Sequence, residues 1–203
     1  MTPAEFRDLL QRQSDTQLLG TCLRDDRAPY VFRSRESAWG AFRGRLVSGL
    51  GASRDDIRVV GSGRFGFSLK PGGNLKRFAD TSDIDVVVVS ASLFDELWMA
   101  LLEAAYPRPP ITERLGGWLG RRRSEVYTGW LTPLAIRLDR RIVGSKATPV
   151  LDFNFRWFKT LKEASELPLR RHEDISGRLY RTWNHAELYH LSSLAALRSS
   201  LAE

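Results

Sequence analysis

Val59-Val60-Gly61-Ser62-Gly63-Arg64-Phe65-Gly66 and Ser82-Asp83-Ile84-Asp85-Val86-Val87-Val88-Val89 are the two stretches that decide how this chain is read. The first carries a short β-type run, Asp56 to Val60, into a cluster of glycines. The second places two carboxylates at i and i+2 at the mouth of a run from Ile84 to Val89 that is β-branched apart from Asp85, the strongest strand signal in the sequence. Its uninterrupted apolar half predicts a buried central strand. Alternate strand residues project from one face, so Asp83 and Asp85 stand side by side while Ile84 turns into the core. Two such carboxylates repel unless they share a cation. Mg²⁺ accepts one or two carboxylates together with phosphate oxygens, and paired ions lie about 4 Å apart in two-metal sites. At Gly61 and Gly63 no Cβ blocks the approach of backbone N–H groups and the Ser62 hydroxyl to phosphate oxygens.

The glycine spacing 61, 63, 66 also matches the dinucleotide-binding fingerprint literally. That motif needs a helix directly after the turn and an acid at the far end of the next strand. Here the helix would run into Pro71-Gly72-Gly73, the acids stand at the near end of the strand, and its far end is Ser90. A P-loop is excluded because no Gly-Lys-Ser/Thr follows at the required spacing.

Outward from this centre, Thr2-Pro3-Ala4-Glu5 predicts a helix start, with Phe6, Leu9, Leu10 and then Leu18 and Leu19 at roughly helical spacing. A second helix is predicted from Ser34 to Leu50 and closed by Gly51, and a third from Leu93 to Tyr106 ahead of Pro107. Residues 111–147 read as irregular and basic, with short strand candidates at Val126–Leu131 and Leu134–Leu138. Thr148-Pro149 starts a helix to about Leu167, although its first residues also fit a strand. Ile175–Trp183 reads as a strand. Asn184 and Glu187 form a capping box for a last helix with Leu188, Leu191, Leu194, Ala195 and Leu201 on one side. The expected architecture is α+β, a twisted mixed sheet flanked by helices, as one domain over residues 1–203. It comprises an N-terminal helical segment (1–55), a sheet region (56–183) and a C-terminal helix (184–203).

The chain has 203 residues, 42% of them hydrophobic and 27% charged, enough for a sizeable core and unlike a disordered chain. Its single cysteine, Cys22, excludes an internal disulfide framework and a multi-cysteine metal site. No apolar run approaches the ~20 residues of a membrane span, and no signal peptide is read at the N-terminus, so the cytoplasm is the expected compartment. A net charge of +7 favours a polyanionic partner such as a nucleotide, a nucleic acid or an acidic protein.

Gly61-Ser62 followed by Asp83-x-Asp85 on a hydrophobic strand resembles the signature of the DNA polymerase β-like nucleotidyltransferase superfamily. The likeness covers residues 57–90. Ser62 and Asp83 are further apart than in the tightest members, and a hairpin around Pro71-Gly72-Gly73 would absorb the excess. Together with Gly-Phe-Ser-Leu at 66–69, it extends to small bacterial members of anti-phage and toxin–antitoxin type. The resemblance implies a nucleotidyltransferase fold in which the Gly-Ser turn holds the triphosphate of ATP or another nucleoside triphosphate. Asp83 and Asp85 would bind two Mg²⁺ or Mn²⁺ ions, and a third carboxylate on a later strand would help activate the acceptor hydroxyl. Around the turn, Gly61, Ser62, Gly63, Arg64 and Lys70 are the nucleotide-binding candidates, Arg64 ahead of Lys70 and Lys76 because it lies inside the turn.

If Val150-Leu151-Asp152-Phe153-Asn154-Phe155 is a strand, Asp152 becomes the third metal ligand or general base. If the same residues open a helix, Asp152 merely complements the helix dipole. Asp139 and Asp174, each at the edge of a predicted strand, are further candidates, and a site without a third acid is the remaining alternative. Blander readings apply elsewhere. The basic residues between 114 and 146 suit a solvated surface as well as an acceptor-phosphate surface. His172, His185 and His190 lack zinc-ligand spacing, and Trp98, Trp157, Phe158 and Trp183 are most simply core. The function expected is transfer of a nucleoside monophosphate from a triphosphate to a hydroxyl of protein, RNA or oligonucleotide, with release of pyrophosphate, in a bacterial defence setting. The alternative is a degenerate nucleotide-sensing subunit that acts through a partner protein from the same operon. A third reading, a nucleic-acid binder driven by the basic stretch, predicts salt-sensitive binding indifferent to Asp83 and Asp85.

Overall fold

The N-terminal capping box forms as the sequence predicts: Thr2 and Glu5 satisfy each other's backbone N–H groups at the head of α1 (Pro3–Arg12). A second box follows at once, Ser14 with Gln17, and opens α2 (Asp15–Arg24). Leu18 and Leu19 therefore belong to a separate helix. The computed structural model describes residues 1–79, 82–106, 113–133, 148–167 and 174–202. Helix α3 (Glu36–Leu50) ends at Gly51, whose φ of +72° is the left-handed cap that favours glycine.

Strand β1 (Ile57–Val60) runs into a five-residue helix, α4 (Gly61–Phe65). Gly66 stops it at φ +83°, and the chain then folds into a loop pinned by the Phe67–Arg77 bridge, with Pro71-Gly72-Gly73 at its tip. The dinucleotide-type helix is absent because the chain turns back at Gly66. Strand β2 (Ile84–Val89) matches its predicted limits and leads through the Ser90 cap into α5 (Ala91–Ala105). Residues 113–127 differ from expectation: they form helix α6 (Glu113–Tyr127) despite Gly116, Gly117 and Gly120. Part of the reason lies in its last turns, where buried Arg122 bonds Glu125 one turn on and also the Thr132 carbonyl, tying the helix to the chain beyond it. Of the predicted 126–131 strand only β3 (Trp130–Leu131) is present, and Leu134–Leu138 lies outside the described residues. Helix α7 spans Thr148–Ser165, β4 spans Ile175–Tyr180 and α8 spans Trp183–Ala202.

The four strands form one mixed sheet in the order β1-β2-β4-β3, antiparallel except for the central β2–β4 pair. The molecule is thus α+β, with helices on both faces of the sheet. Period-two alternation in β2 divides the core. Ile84, Val86 and Val88 pack with α3, α5 and α7 through Phe42, Leu46, Phe94, Phe153 and Trp157. Val87 and Val89 face the opposite way, toward Phe6, Leu18 and Leu23 of α1 and α2 and toward Leu194 and Leu197 of α8. Asn184 is not the α8 cap, because that helix begins one residue earlier, at Trp183. Glu187 instead binds Arg24 at 2.6 Å, joining α8 to α2. Leu188 and Ala195 are exposed, so the buried stripe of α8 runs through Ala186, Leu194 and Leu197. Trp157 is core as expected, whereas Trp98 is partly exposed. Among the described residues no helix is long and apolar enough to cross a membrane.

Candidate functional site

A cavity of about 720 Å³ opens on the α1/α2/α8 face of the sheet. Asp85 lies at its centre for a topological reason: its neighbours across the sheet are Val60, the last residue of β1, and Ser176 of β4. The glycine turn begins at the very next residue, so strand pairing carries Gly61 and Ser62 to the carboxylate. Both Asp83 and Asp85 are exposed and line the cavity, as do Gly61, Ser62 and Lys70. Gly61 has φ +60°, and a Cβ there would stand 3.4 Å from Asp85 Oδ2. A side chain would be both strained and in the way. The loop beyond Gly66 brings Lys70, Lys76 and Arg77 to the same cavity.

Other sequence candidates are placed differently. Gly63 is buried, with room for a Cβ only 3.1 Å from Val59 Cγ1, so this glycine serves helix–strand packing and does not line the cavity. Arg64 lines the cavity, yet its guanidinium is committed to Asp25 at 2.5 Å and to the Arg27 carbonyl at 2.5 Å, which makes it a brace between the turn and the segment after α2. Burial opposes ionisation of Asp25, but hydrogen bonds from Arg27 and the charges of Arg64 and Arg27 outweigh it and lower its pKa to about 2. Asp152 lies in a helix, not a strand. That helix, α7, sends Val150, Phe153 and Trp157 against the Ile84/Val86/Val88 face, so the sheet stands between it and the face that bears Asp83 and Asp85.

The strand beside β2 is β4, and the residue opposite Asp85 there is Ser176, whose hydroxyl donates to Asp85 Oδ1 at 2.6 Å. Asp174 precedes it by two, on the same face by alternation and exposed, and its carbonyl accepts from Ile84 N at 2.9 Å. Asp174 is therefore the sequence candidate that strand register brings nearest to Asp83. Asp139 and His172 lie outside the described residues, and among those described no group of three potential metal ligands is assembled. Within the basic stretch, Arg122 is spent internally while Arg121 and Arg123 are exposed.

Sequence reasoning missed the inner wall of the cavity. Arg178 and Tyr180 follow Ser176 on the same face of β4, and Tyr189 and His190 of α8 close over them. Trp130 and Tyr189 lie 5.0 Å and 4.2 Å from the Arg178 guanidinium. Burial, helped by the Arg178 charge and opposed by Asp85, lowers the His190 pKa to about 4, so the ring is neutral at neutral pH. Burial also pushes the Tyr180 hydroxyl upward and the Cys22 thiol up to about 11, leaving Cys22 a poor nucleophile. The Ser-x-Arg-x-Tyr alternation of β4 was the available signal. Nothing local in the sequence points to Tyr189 and His190, which arrive by helix packing. No protein-family model, curated protein or solved structure matches the chain.

Proposed function

We propose that the cavity binds a nucleoside triphosphate together with divalent metal, and that the chain transfers the nucleoside monophosphate to an acceptor hydroxyl. The observation that carries this reading is the convergence of Asp83, Asp85 and Gly61 on one wall with Lys70, Lys76 and Arg77 nearby. Exposed paired carboxylates suit Mg²⁺ or Mn²⁺, which keep phosphate oxygens among their ligands. When bound, such ions neutralise phosphate charge and polarise the phosphoryl centre. Asp83 and Asp85 would hold them, and Ser176 would fix the Asp85 carboxylate through its hydrogen bond. Gly61 and Ser62 let backbone and hydroxyl approach the phosphates, and the loop lysines offset their charge. Asp174, whose carbonyl accepts from Ile84 N next to Asp83, is the carboxylate that would take the acceptor proton. The mixed sheet flanked by helices is compatible with the nucleotidyltransferase fold implied by the resemblance.

A second reading, nucleotide binding without turnover in a subunit that signals through a partner protein, is favoured by one specific observation. The position facing Asp85 on β4 is a serine, and Asp152 stands on the other face of the sheet. Release of pyrophosphate from a panel of nucleoside triphosphates with Mg²⁺ or Mn²⁺ separates the two readings. The transfer reading expects turnover that falls at least ~100-fold in Asp83→Ala. If the wild type releases none, alone or with proteins encoded beside it, transfer is refuted. Tight metal-dependent binding in that case supports the second reading.

A further inference from the structure

Arg178 is a half-buried cation that forms no ion pair among the described residues. Its Nε donates to Thr132 Oγ1 at 3.4 Å and its guanidinium also reaches the Tyr180 and Tyr189 hydroxyls, while among the described residues no acid comes within ion-pairing distance. Arg43, Arg58, Arg64 and Arg122, also withdrawn from water, each have one within 4.0 Å. Glu125 feels the charge of Arg178 without forming an ion pair with it, and a guanidinium withdrawn from water without a direct counter-ion keeps part of its desolvation cost, which the aromatic rings and tyrosine hydroxyls offset only in part. Two further polar groups on the same cavity wall are incompletely satisfied. The Tyr180 hydroxyl lies against the Arg178 guanidinium, from which it can only accept, so its own proton has no acceptor, and His190 Nε2 is unpartnered. Tyr180 is fully buried, so no solvent compensates its hydroxyl.

We propose that Arg178, Tyr180 and His190 form a phosphate-binding subsite distinct from the glycine turn, which takes a phosphomonoester or phosphodiester group of a nucleotide. A phosphate oxygen pair matches the guanidinium fork, and the remaining oxygens accept from the tyrosine hydroxyl and from a histidine N–H. Arg178 follows Ser176, the partner of Asp85, by two residues, which sets the subsite about 7 Å along the strand from the paired carboxylates. That offset makes it a second phosphate position, served by protein donors alone. The ligand's identity as a nucleotide rests on the proposed function of this cavity; the anion chemistry does not.

The test is equilibrium binding of AMP and of adenosine in EDTA, which removes metal. The wild type should bind AMP at least ~10-fold more tightly than adenosine, the preference expected for a charge-assisted contact. Arg178→Gln should abolish that preference and Tyr180→Phe should reduce it, whereas Lys159→Gln, the loss of an exposed cation on α7 across the sheet, should leave it intact. Equal binding of AMP and adenosine by the wild type, or an unchanged preference in Arg178→Gln, overturns the subsite. Should Arg178→Gln not fold by circular dichroism, an unchanged preference in Tyr180→Phe overturns it. Competition identifies the source of the phosphate. Displacement of AMP by Mg²⁺–ATP assigns it to the triphosphate nucleotide, and simultaneous binding assigns it to an acceptor; both outcomes uphold the subsite. Mg²⁺–ATP binding that ignores Asp83→Asn would refute the metal-dependent site while leaving this result standing.

Discussion

His190 should make the protein acid-sensitive well above the range in which carboxylates titrate. Its ring is enclosed by Tyr180 and Tyr189, with Arg178 nearby, and Nε2 has no partner. In the folded chain it takes a proton only near pH 4, against 6.5 as the ordinary value. The unfolded chain therefore binds the extra proton throughout that window, so stability is greatest above about pH 6.5 and falls as the pH drops toward 4. The full shift corresponds to about 3 kcal/mol, of which about 2 kcal/mol is already lost near pH 5. Asp25 contributes nothing over this span, because its lowered pKa moves stability only below its ordinary value of 3.8. Urea denaturation followed by tryptophan fluorescence at about pH 7.5 and about pH 5 gives the loss directly. His190→Gln should show about 2 kcal/mol less acid destabilisation than the wild type, since contributions from groups such as Glu125 are common to both proteins and cancel. Equal losses in the two proteins would refute the enclosure of His190, and with it the placement of α8 over the cavity.

Two substitutions probe the backbone of the site. Gly61→Val forces a β-branched residue to φ +60° and sets its Cβ 3.4 Å from Asp85 Oδ2. It should cost about 1–2 kcal/mol of stability and weaken Mg²⁺–nucleotide binding at least ~10-fold, measured by denaturation and by nucleotide titration; wild-type affinity would show that the turn does not face phosphate. Gly177→Ala puts a Cβ 2.8 Å from Trp157 Cζ2 in the core on the opposite face. A loss of about 1–3 kcal/mol in urea denaturation, with metal-free AMP preference retained, is the expected outcome, and an unchanged midpoint would contradict the packing of α7 on β4.

The strands over Ile57–Val60 and Ile84–Val89 were legible in the sequence because their signals are local. The Ile84–Val89 run is too β-branched and too apolar to be anything but an inner strand, and period-two alternation alone sets Asp83 and Asp85 on one face. The Gly51 stop and the Thr2/Glu5 cap likewise depend on a few neighbouring residues. The helix over 113–127 was illegible because its glycines and arginines carry no clean periodicity, and the contacts of Arg122 become visible only once the chain has turned back to Thr132.

Tertiary structure decided everything that depends on which face of the sheet a residue occupies. Asp152 and Asp174 are both acids beside apolar residues in the sequence. Helix α7 packs against the Ile84/Val86/Val88 face and takes Asp152 with it, while parallel pairing of β4 with β2 sets Asp174 next to Asp83 and Ser176 against Asp85. Arg64 lies inside the glycine turn in sequence, yet Asp25, 39 positions earlier, claims its charge. Arg178 is one of 31 basic residues and becomes distinctive only because folding withdraws it from water while, among the described residues, no acid forms an ion pair with it. Strand identity and the facing of alternate residues are encoded within a few positions of the chain. The counter-charge of a buried group is set by segments that meet only when the sheet has assembled, and sequence spacing carries no record of that meeting.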